Sequence, residues 1–584
     1  MLVLGINDDA YDAGVTLVEG GRVRFAANEE RYTRRKTQGG FPYESLRGCL
    51  RYTGVDPRDI SQICVCGIMT PPVAKRMMPG IQGLLDGAKK SGAESVGSKV
   101  VDFLTHNTSI AHTTPDSLGP RLVKPSLPSI IRRILPPELR HAQIRVVEHH
   151  RAHAASAYYL SGFEEALVVT GDGMGDGVSL SVSRATPAGI ERLWSASSRN
   201  SFGLFYEAIT AAFGFIPCRH EGKVTGLAAM GDPTAVKVPP MFTYEGGELL
   251  YHGPRGRRAT EWAREELVAR YSREDISAWA QQQLEEHVVN ITRQFLDRTG
   301  LKNVAVAGGI FANVKLNQFI HEADECEALF VCPNMGDGGL SLGAIAHAGF
   351  LDPTKVTDVF LGEDYSDDEV EQVLRTAGLP YMRHDDIDEH IADALADGKL
   401  VARFTGRMEW GPRALGNRTV MAPTTSRAIV DRLNGLLKRN DFMPFAPAAL
   451  DEDMERYSMQ WGSARHAAEF MTATFRCTDH MKATHPAVVH ADDTARTQLV
   501  REETNPAFYR TLQAYKRRTG HGILLNTSFN VHEEPIVMTP QEAVKAFTNA
   551  KLDYLAAGPF LVPGAHLRSR AAGEDAAVRE SPRP

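Results

Sequence analysis

Two histidines four apart, His149 and His153, stand in the Ala-rich run HHRAHAASA. At helical spacing both imidazoles project from one face, and the small residues around them let another element approach closely. The run ALVVTGDG that follows reads as a buried strand over 166–170, whose Gly-Asp-Gly turn exposes Asp172 at the strand's C-terminal edge. Two neutral imidazoles and a carboxylate suit Fe(II), Zn(II) or Mn(II), with positions left open for substrate. The alternative is a pair of satisfied core histidines beside a turn aspartate, since the pattern lacks the glutamate of the zinc-protease helix.

The elements that must position these residues repeat. LVLGINDDAYDAGVTL and ALVVTGDGMGDGVSL each give a strand, a turn with two aspartates four apart (Asp8 and Asp12; Asp172 and Asp176), and a second strand opening with Gly-Val-x-Leu. Such a duplication predicts an α/β fold of the actin-like or sugar-kinase type, in which paired strand-turn-strand units present acidic turns to a shared cleft for a nucleotide and its metal. Downstream, a helix over 279–299 leads to a strand over 304–307 and the pair Gly308-Gly309, with Asn313 and Asn317 on the next helix. Backbone amides there suit ribose and phosphates. After a strand over 328–332, PNMGDGG places Asp337, beside Gly336, on a glycine-rich loop, where it supplies a second carboxylate to His149, His153 and Asp172 if the cleft closes as the duplication predicts. In RHEGKVTGLAAMG, Glu221 and Lys223 stand among glycines, as a phosphate-neutralising loop or an ordinary surface loop.

At 584 residues the chain predicts more than one domain, and 43% hydrophobic content permits sizeable cores. A net charge of -7 disfavours bulk attraction to nucleic acid or anionic membrane. No apolar run is long enough to span a bilayer, and the N-terminus lacks a signal-peptide pattern, so a cytoplasmic location is expected. Seven scattered cysteines imply neither a disulfide framework nor a structural zinc site. The Pro-rich stretch 69–140 reads as an insertion, and Asp-rich loops over 352–368 mark a boundary. The expected division is 1–355, 356–567 and a disordered tail over 568–584. In the second module, TGRMEWGPRALGNRT gathers Arg407, Arg413 and Arg418 among glycines, as a polyanion cradle or a solvated basic loop. Lys438 and Arg439 end a helix over 426–437, Arg496 follows, and Asn526, Thr527, Ser528 and Asn530 at the end of a strand offer groups to grip a carbamoyl or phosphate.

Taken together and in order, HHRAHAASA, TGDG, EGKVTGLA, AGGIFAN, GDGG, GRMEWGPRALGNRT, PFAPA, TARTQ and LLNTSFNVHEEPIV resemble the ATP-dependent O-carbamoyltransferases of antibiotic and nodulation-factor biosynthesis. The resemblance implies an actin-like domain similar to threonylcarbamoyl transferases, followed by an α/β domain similar to threonylcarbamoyl-adenylate synthases. It implies that carbamoyl phosphate and ATP, with Mg(II), give carbamoyl-adenylate in the second domain. The carbamoyl group then passes to a small-molecule alcohol at a metal, Fe(II) or Zn(II), on His149, His153, Asp172 and Asp337. Tyr11, Asp12, Lys36, Arg413, Arg418 and Lys438 carry over as catalytic positions. Glu221, Lys223, Gly308, Gly309, Asn313, Gly336, Arg407, Arg439, Arg496, Asn526, Thr527, Ser528 and Asn530 carry over as binding positions. Tyr11 departs from the family, which usually has histidine there; Met443 and His532 stand where arginine is common. A homo-oligomer is compatible with the sequence. A tRNA threonylcarbamoyl transferase is the alternative function, disfavoured by the acidic balance.

Overall fold

The computed structural model describes residues 1–70, 76, 118–437, 445–531 and 533–564. Most of the Pro-rich stretch, the tail, Lys438, Arg439, Met443 and His532 lie outside the described residues. The chain forms two units, the first comprising Met1–Val356 with Gly462–Ala467 and the second Thr357–Trp461 with the chain from Ala468 onward.

The first unit is built on two five-stranded sheets of one design. In the first sheet β1 (Leu2–Asn7), β2 (Gly14–Glu19), β3 (Arg22–Asn28), β4 (Ile60–Cys66) and β5 (Gln143–Val147) lie in the order β3-β2-β1-β4-β5. The β1-β2-β3 meander is antiparallel, and β4 and β5 continue parallel to β1. The second sheet repeats this with β6 (Ala166–Gly175), β7 (Val178–Thr186) and β8 (Gly189–Ser197). Between β8 and the next strands of that sheet comes a small hairpin, β9 (Phe242–Glu245) with β10 (Glu248–Tyr251). The parallel strands β11 (Asn303–Ala307) and β12 (Ala328–Val331) then complete the order β8-β7-β6-β11-β12. Two sheets sharing strand order and strand sense make the duplication a property of the fold, and the actin-like class rests on it. The repeat reaches the backbone, because Asp12 and Asp176 both take left-handed conformations, at φ 47 and 49.

Side-chain volume sets how these layers close. The His149–Ser161 helix packs against β6 and β11, and the Leu340–His347 helix against β1 and β4. The two helices also pack on each other, with Gly343 so near that a Cβ would lie 2.0 Å from the Ala152 carbonyl oxygen. β6 runs beyond the predicted 166–170 because Gly175 pairs with Val178 across an irregularity after Gly171. The helix predicted from 279 starts at Arg273, since Ser272 caps it by accepting from the Asp275 amide. All seven cysteines are free, and among the described residues no helix is long and apolar enough to cross a membrane.

The second unit is also α/β. Its eight-stranded mixed sheet runs β13-β23-β22-β14-β15-β21-β16-β20, from β13 (Met382–Arg383), β14 (Val401–Phe404), β15 (Arg418–Ala422), β16 (Ala446–Leu450), β20 (Gln498–Val500), β21 (Ile523–Ser528), β22 (Tyr554–Ala557) and β23 (Phe560–Pro563). A three-stranded sheet of β17 (Ser458–Met459), β18 (Phe475–Cys477) and β19 (Thr494–Ala495) completes the strands. The helices Ile387–Ala396 and Pro506–Thr519 cover one core, in which Leu395, Val401, Leu450, Phe508, Leu512 and Leu524 are buried.

One buried histidine is expected to make this unit acid-sensitive. His485 bonds to the Thr424 hydroxyl at 2.8 Å and packs edge-on to His521 at 4.9 Å and Tyr457 at 5.2 Å. Burial lowers its imidazole to about 3, helped by the positive charge that His521, His480 and Arg456 can carry. The unfolded chain therefore binds the extra proton first as pH falls, so the stability His485 confers is complete above about 6.5 and drains away toward 3. The melting temperature is expected to fall between pH 7 and pH 5, with a smaller slope in His485→Gln, measured by thermal unfolding across pH.

Candidate metal centre and arginine loop

Four donors from three separate elements converge in the first unit. His149 opens its helix after Glu148, whose side chain accepts from the Arg151 amide and so fixes the first turn. His149 Nε2 and His153 Nε2 lie 3.2 Å apart. Asp172 Oδ2 is 3.3 Å from the first and 3.2 Å from the second, and Asp337 Oδ1 is 3.5 and 3.6 Å from them. Ligand bonds of about 2.0–2.1 Å around a tetrahedral ion put ligand atoms about 3.3 Å apart. The spacing, the mixed imidazole and carboxylate chemistry, and a buried Asp337 Oδ1 with no hydrogen-bond partner all fit a divalent transition metal.

The electrostatics agree. Burial opposes a charge on His149, yet the Asp172 hydrogen bond, the Asp9 carboxylate 3.7 Å from Nδ1 and the Asp337 charge hold its imidazole well above the ordinary range. Burial and the Asp172 carboxylate push Asp337 up to about 6. Acids and bases crowded at one point must share protons unless a cation takes their place.

Several further residues hold the cluster in place. A Cβ on Gly175 would sit 2.1 Å from the His149 ring, so only glycine lets the imidazole lie against β6. Asn7 donates to the Asp337 carbonyl at 2.9 Å and the Asp12 carbonyl at 3.3 Å, while Asn28 donates to the Asp12 carbonyl at 3.2 Å. Asp176 accepts from the amides of Ile68, Met69, Thr70 and His149, tying the end of β4 to the start of the histidine helix. Asp8, which matches Asp172 in the repeat, instead forms a buried pair with Arg76.

Around the cluster the predicted residues separate into groups. Burial, then Glu30 and Asp337, raise the Asp12 carboxyl to about 7, against Arg31 and Lys36, so Asp12 and exposed Lys36 belong to this neighbourhood. Tyr11 is pushed far above its usual range by Cys218 and by burial. The segment with Glu221 and Lys223 is a helix, Glu221–Ala228, rather than a glycine loop. There Glu221 accepts from the Cys218 amide at 2.7 Å, and Lys223 Nζ sits 5.3 Å from the centre of the Phe215 ring. Gly308, at φ +109, is required by packing, since a Cβ would strike the Gly171 carbonyl oxygen at 2.1 Å; Gly309 faces Asp172 Oδ1. Asn313 precedes its helix as the cap and exchanges bonds with Gln281. A Cβ on Gly336 would meet nothing, which leaves the space beside Asp337 open.

In the second unit the arginine loop is folded around a buried carboxylate. Glu409 Oε1 accepts from the amides of Leu415, Asn417 and Arg418 at 2.9, 2.9 and 3.1 Å. Two of the three arginines frame the loop. Arg407 donates to the Gly362 and Leu361 carbonyls, and Arg418, stacked 3.9 Å from the centre of the Phe404 ring, donates to those of Thr405, Gly406 and Asn417. Half-buried Arg413 is lowered to about 10 by burial. Asn526 is buried and holds the loop by donating to the Ala414 carbonyl and Gln498, and it accepts from the Thr419 hydroxyl. Asn530 donates to the Glu534 carbonyl. Thr527 follows on β21 and is buried, and Ser528 and Arg496 are half-buried. Glu409→Ala strands three amides and is expected to cost about 3 kcal/mol or more, a fall of roughly 10 °C in melting temperature, while Glu409→Gln keeps an acceptor oxygen and most of the stability.

Comparison with known proteins covers both units. The carbamoyltransferase N-terminus model matches residues 2–245 and 254–346, and the carbamoyltransferase C-terminus model matches residues 392–563. The chain is 32% identical over 572 residues to the nodulation protein NolNO of Sinorhizobium fredii, covering 95% of this chain and 79% of that protein. It is 28% identical over 342 residues to the 3'-hydroxymethylcephem-O-carbamoyltransferase of Amycolatopsis lactamdurans, covering 58% and 63%. Against the solved structure of T. kodakarensis HypF it is 12% identical with a TM-score of 0.33, over 60% of this chain and 48% of that one. That score is too low to bear on the fold, which the strand order establishes. With the duplicated unit and the arginine-loop unit each matched by its own half of one family, the chain is an enzyme that belongs to the carbamoyltransferases.

Proposed function

We propose that the chain forms carbamoyl-adenylate from carbamoyl phosphate and ATP in its second unit, and transfers the carbamoyl group to a hydroxyl of a small-molecule natural product in its first. The observation that carries this reading is the His149, His153, Asp172 and Asp337 cluster, with donor spacings suited to one ion. The O-carbamoyltransferase among its relatives supports a hydroxyl acceptor.

Carbamate is a poor electrophile, and adenylation gives it a leaving group. Loss of phosphate from carbamoyl phosphate with water gives carbamate, whose oxygen attacks the α-phosphorus of ATP and expels pyrophosphate. Arg413 offers a planar fork to the phosphates, and the loop around Glu409 presents it. Mg(II) accompanies ATP. In the first unit the acceptor oxygen attacks the carbamoyl carbon, and AMP leaves. A bound Fe(II) or Zn(II) would supply a Lewis acid for charge developing on the carbamoyl oxygen. Asp12 takes the acceptor's proton, the task left open where Tyr11 replaces histidine, and Lys36 positions the carbamoyl oxygen.

The experiment is pyrophosphate release from ATP with the purified chain. Release that requires carbamoyl phosphate, with a carbamoyl-sized mass gain on an alcohol from a panel of natural products, is the expected result. Release that requires threonine and bicarbonate instead would overturn the reading in favour of threonylcarbamoylation.

A further inference from the structure

The second unit carries another group of metal-binding side chains, unrelated to the arginine loop. His384, Asp386 and His390 each place one ligand atom within 4.8 Å of the others. Asp386 Oδ1 is 3.4 Å from His390 Nε2, near the roughly 3.3 Å between ligands of a tetrahedral zinc ion. The two imidazole rings lie 3.7 Å apart, centre to centre.

Two details point to a ligand. Asp386 occupies the N-cap of the Ile387–Ala396 helix, where an aspartate ordinarily accepts from a first-turn amide, yet its side chain makes no cap bond. Its carboxylate is turned to His390 instead. His384 Nε2 is buried and has no hydrogen-bond partner among the described residues. A buried ring nitrogen without a partner, beside a second imidazole and a diverted carboxylate, is costly unless an ion joins them.

We infer that His384, Asp386 and His390 form a second metal site, specific for a borderline transition ion such as Zn(II) over Mg(II) or Ca(II). Two nitrogen donors set that preference, since the hard ions want oxygen. Three protein ligands leave a fourth position for water. The site falls between residues 346 and 392, a stretch matched by neither family model. Its ion would clip the turn after edge strand β13 to the first turn of the next helix.

The test is equilibrium dialysis of the metal-stripped, full-length chain against Zn(II), read by elemental mass spectrometry. In a His149→Ala/His153→Ala background, which disables the first cluster whatever its role, one equivalent of Zn(II) should remain. Adding His384→Ala/His390→Ala should remove it. The milder Asp386→Asn change, in the same background, should weaken binding at least tenfold, guarding against misfolding in the multiple variant. Equal Zn(II) in chains with and without the two second-site histidines, or none in the His149→Ala/His153→Ala chain, would overturn the inference. Neither outcome bears on the carbamoyl transfer reading.

Discussion

Alanine in place of His153 should lower carbamoyl transfer by about 10³-fold or more, while carbamoyl phosphate-dependent exchange of labelled pyrophosphate into ATP continues at the parent rate. His153 is fully buried, and its Nε2 lies 3.2 Å from both His149 Nε2 and Asp172 Oδ2. Its loss removes one of four donors and leaves two carboxylates facing a single imidazole. The arginine loop belongs to the other unit, which is why the two half-reactions should separate. His153→Gln, closer in shape, controls for folding. If both half-reactions fell together with the fold intact, the division of labour would be wrong.

The converse variant is Arg413→Ala. Exchange should drop by about 10²-fold or more, since a desolvated guanidinium that pairs with phosphate is worth several kcal/mol. Arg413→Lys should recover little, because an ammonium cannot reproduce the bidentate fork. Transfer from carbamoyl-adenylate supplied directly should survive. Arg418 gives a useful contrast. With its guanidinium committed to carbonyls and stacked on Phe404, Arg418→Ala should act through stability, lowering the melting temperature along with exchange.

How much of this was legible in the sequence follows from the range of each interaction. The paired histidines were readable because a helix puts residues four apart on one face. The duplication was readable because hairpins keep their turn chemistry local, down to the aspartates at φ 47 and 49. Asp337 was reachable once two halves were expected to close on each other. By contrast, Asn7 and Asn28 act across sheet and helix boundaries, and nothing local distinguishes them from other turn residues; the repeat picks out Asp176 but not the amides of Ile68, Met69, Thr70 and His149 that it gathers. Gly175 reads as one more glycine in a turn, although His149 lies where its side chain would be. The arginine loop shows the same limit from the other side. Composition announced a basic loop, but only the fold reveals that Glu409 gathers three amides and that Arg407 and Arg418 face carbonyls.

Anomalous diffraction at the absorption edge of iron or zinc, from crystals of metal-loaded protein, tests the central claim most directly. A strong peak is expected within bonding distance of His149 Nε2, His153 Nε2, Asp172 and Asp337. Ordered imidazoles and carboxylates there with no peak between them, in protein that still transfers carbamoyl groups, would contradict it.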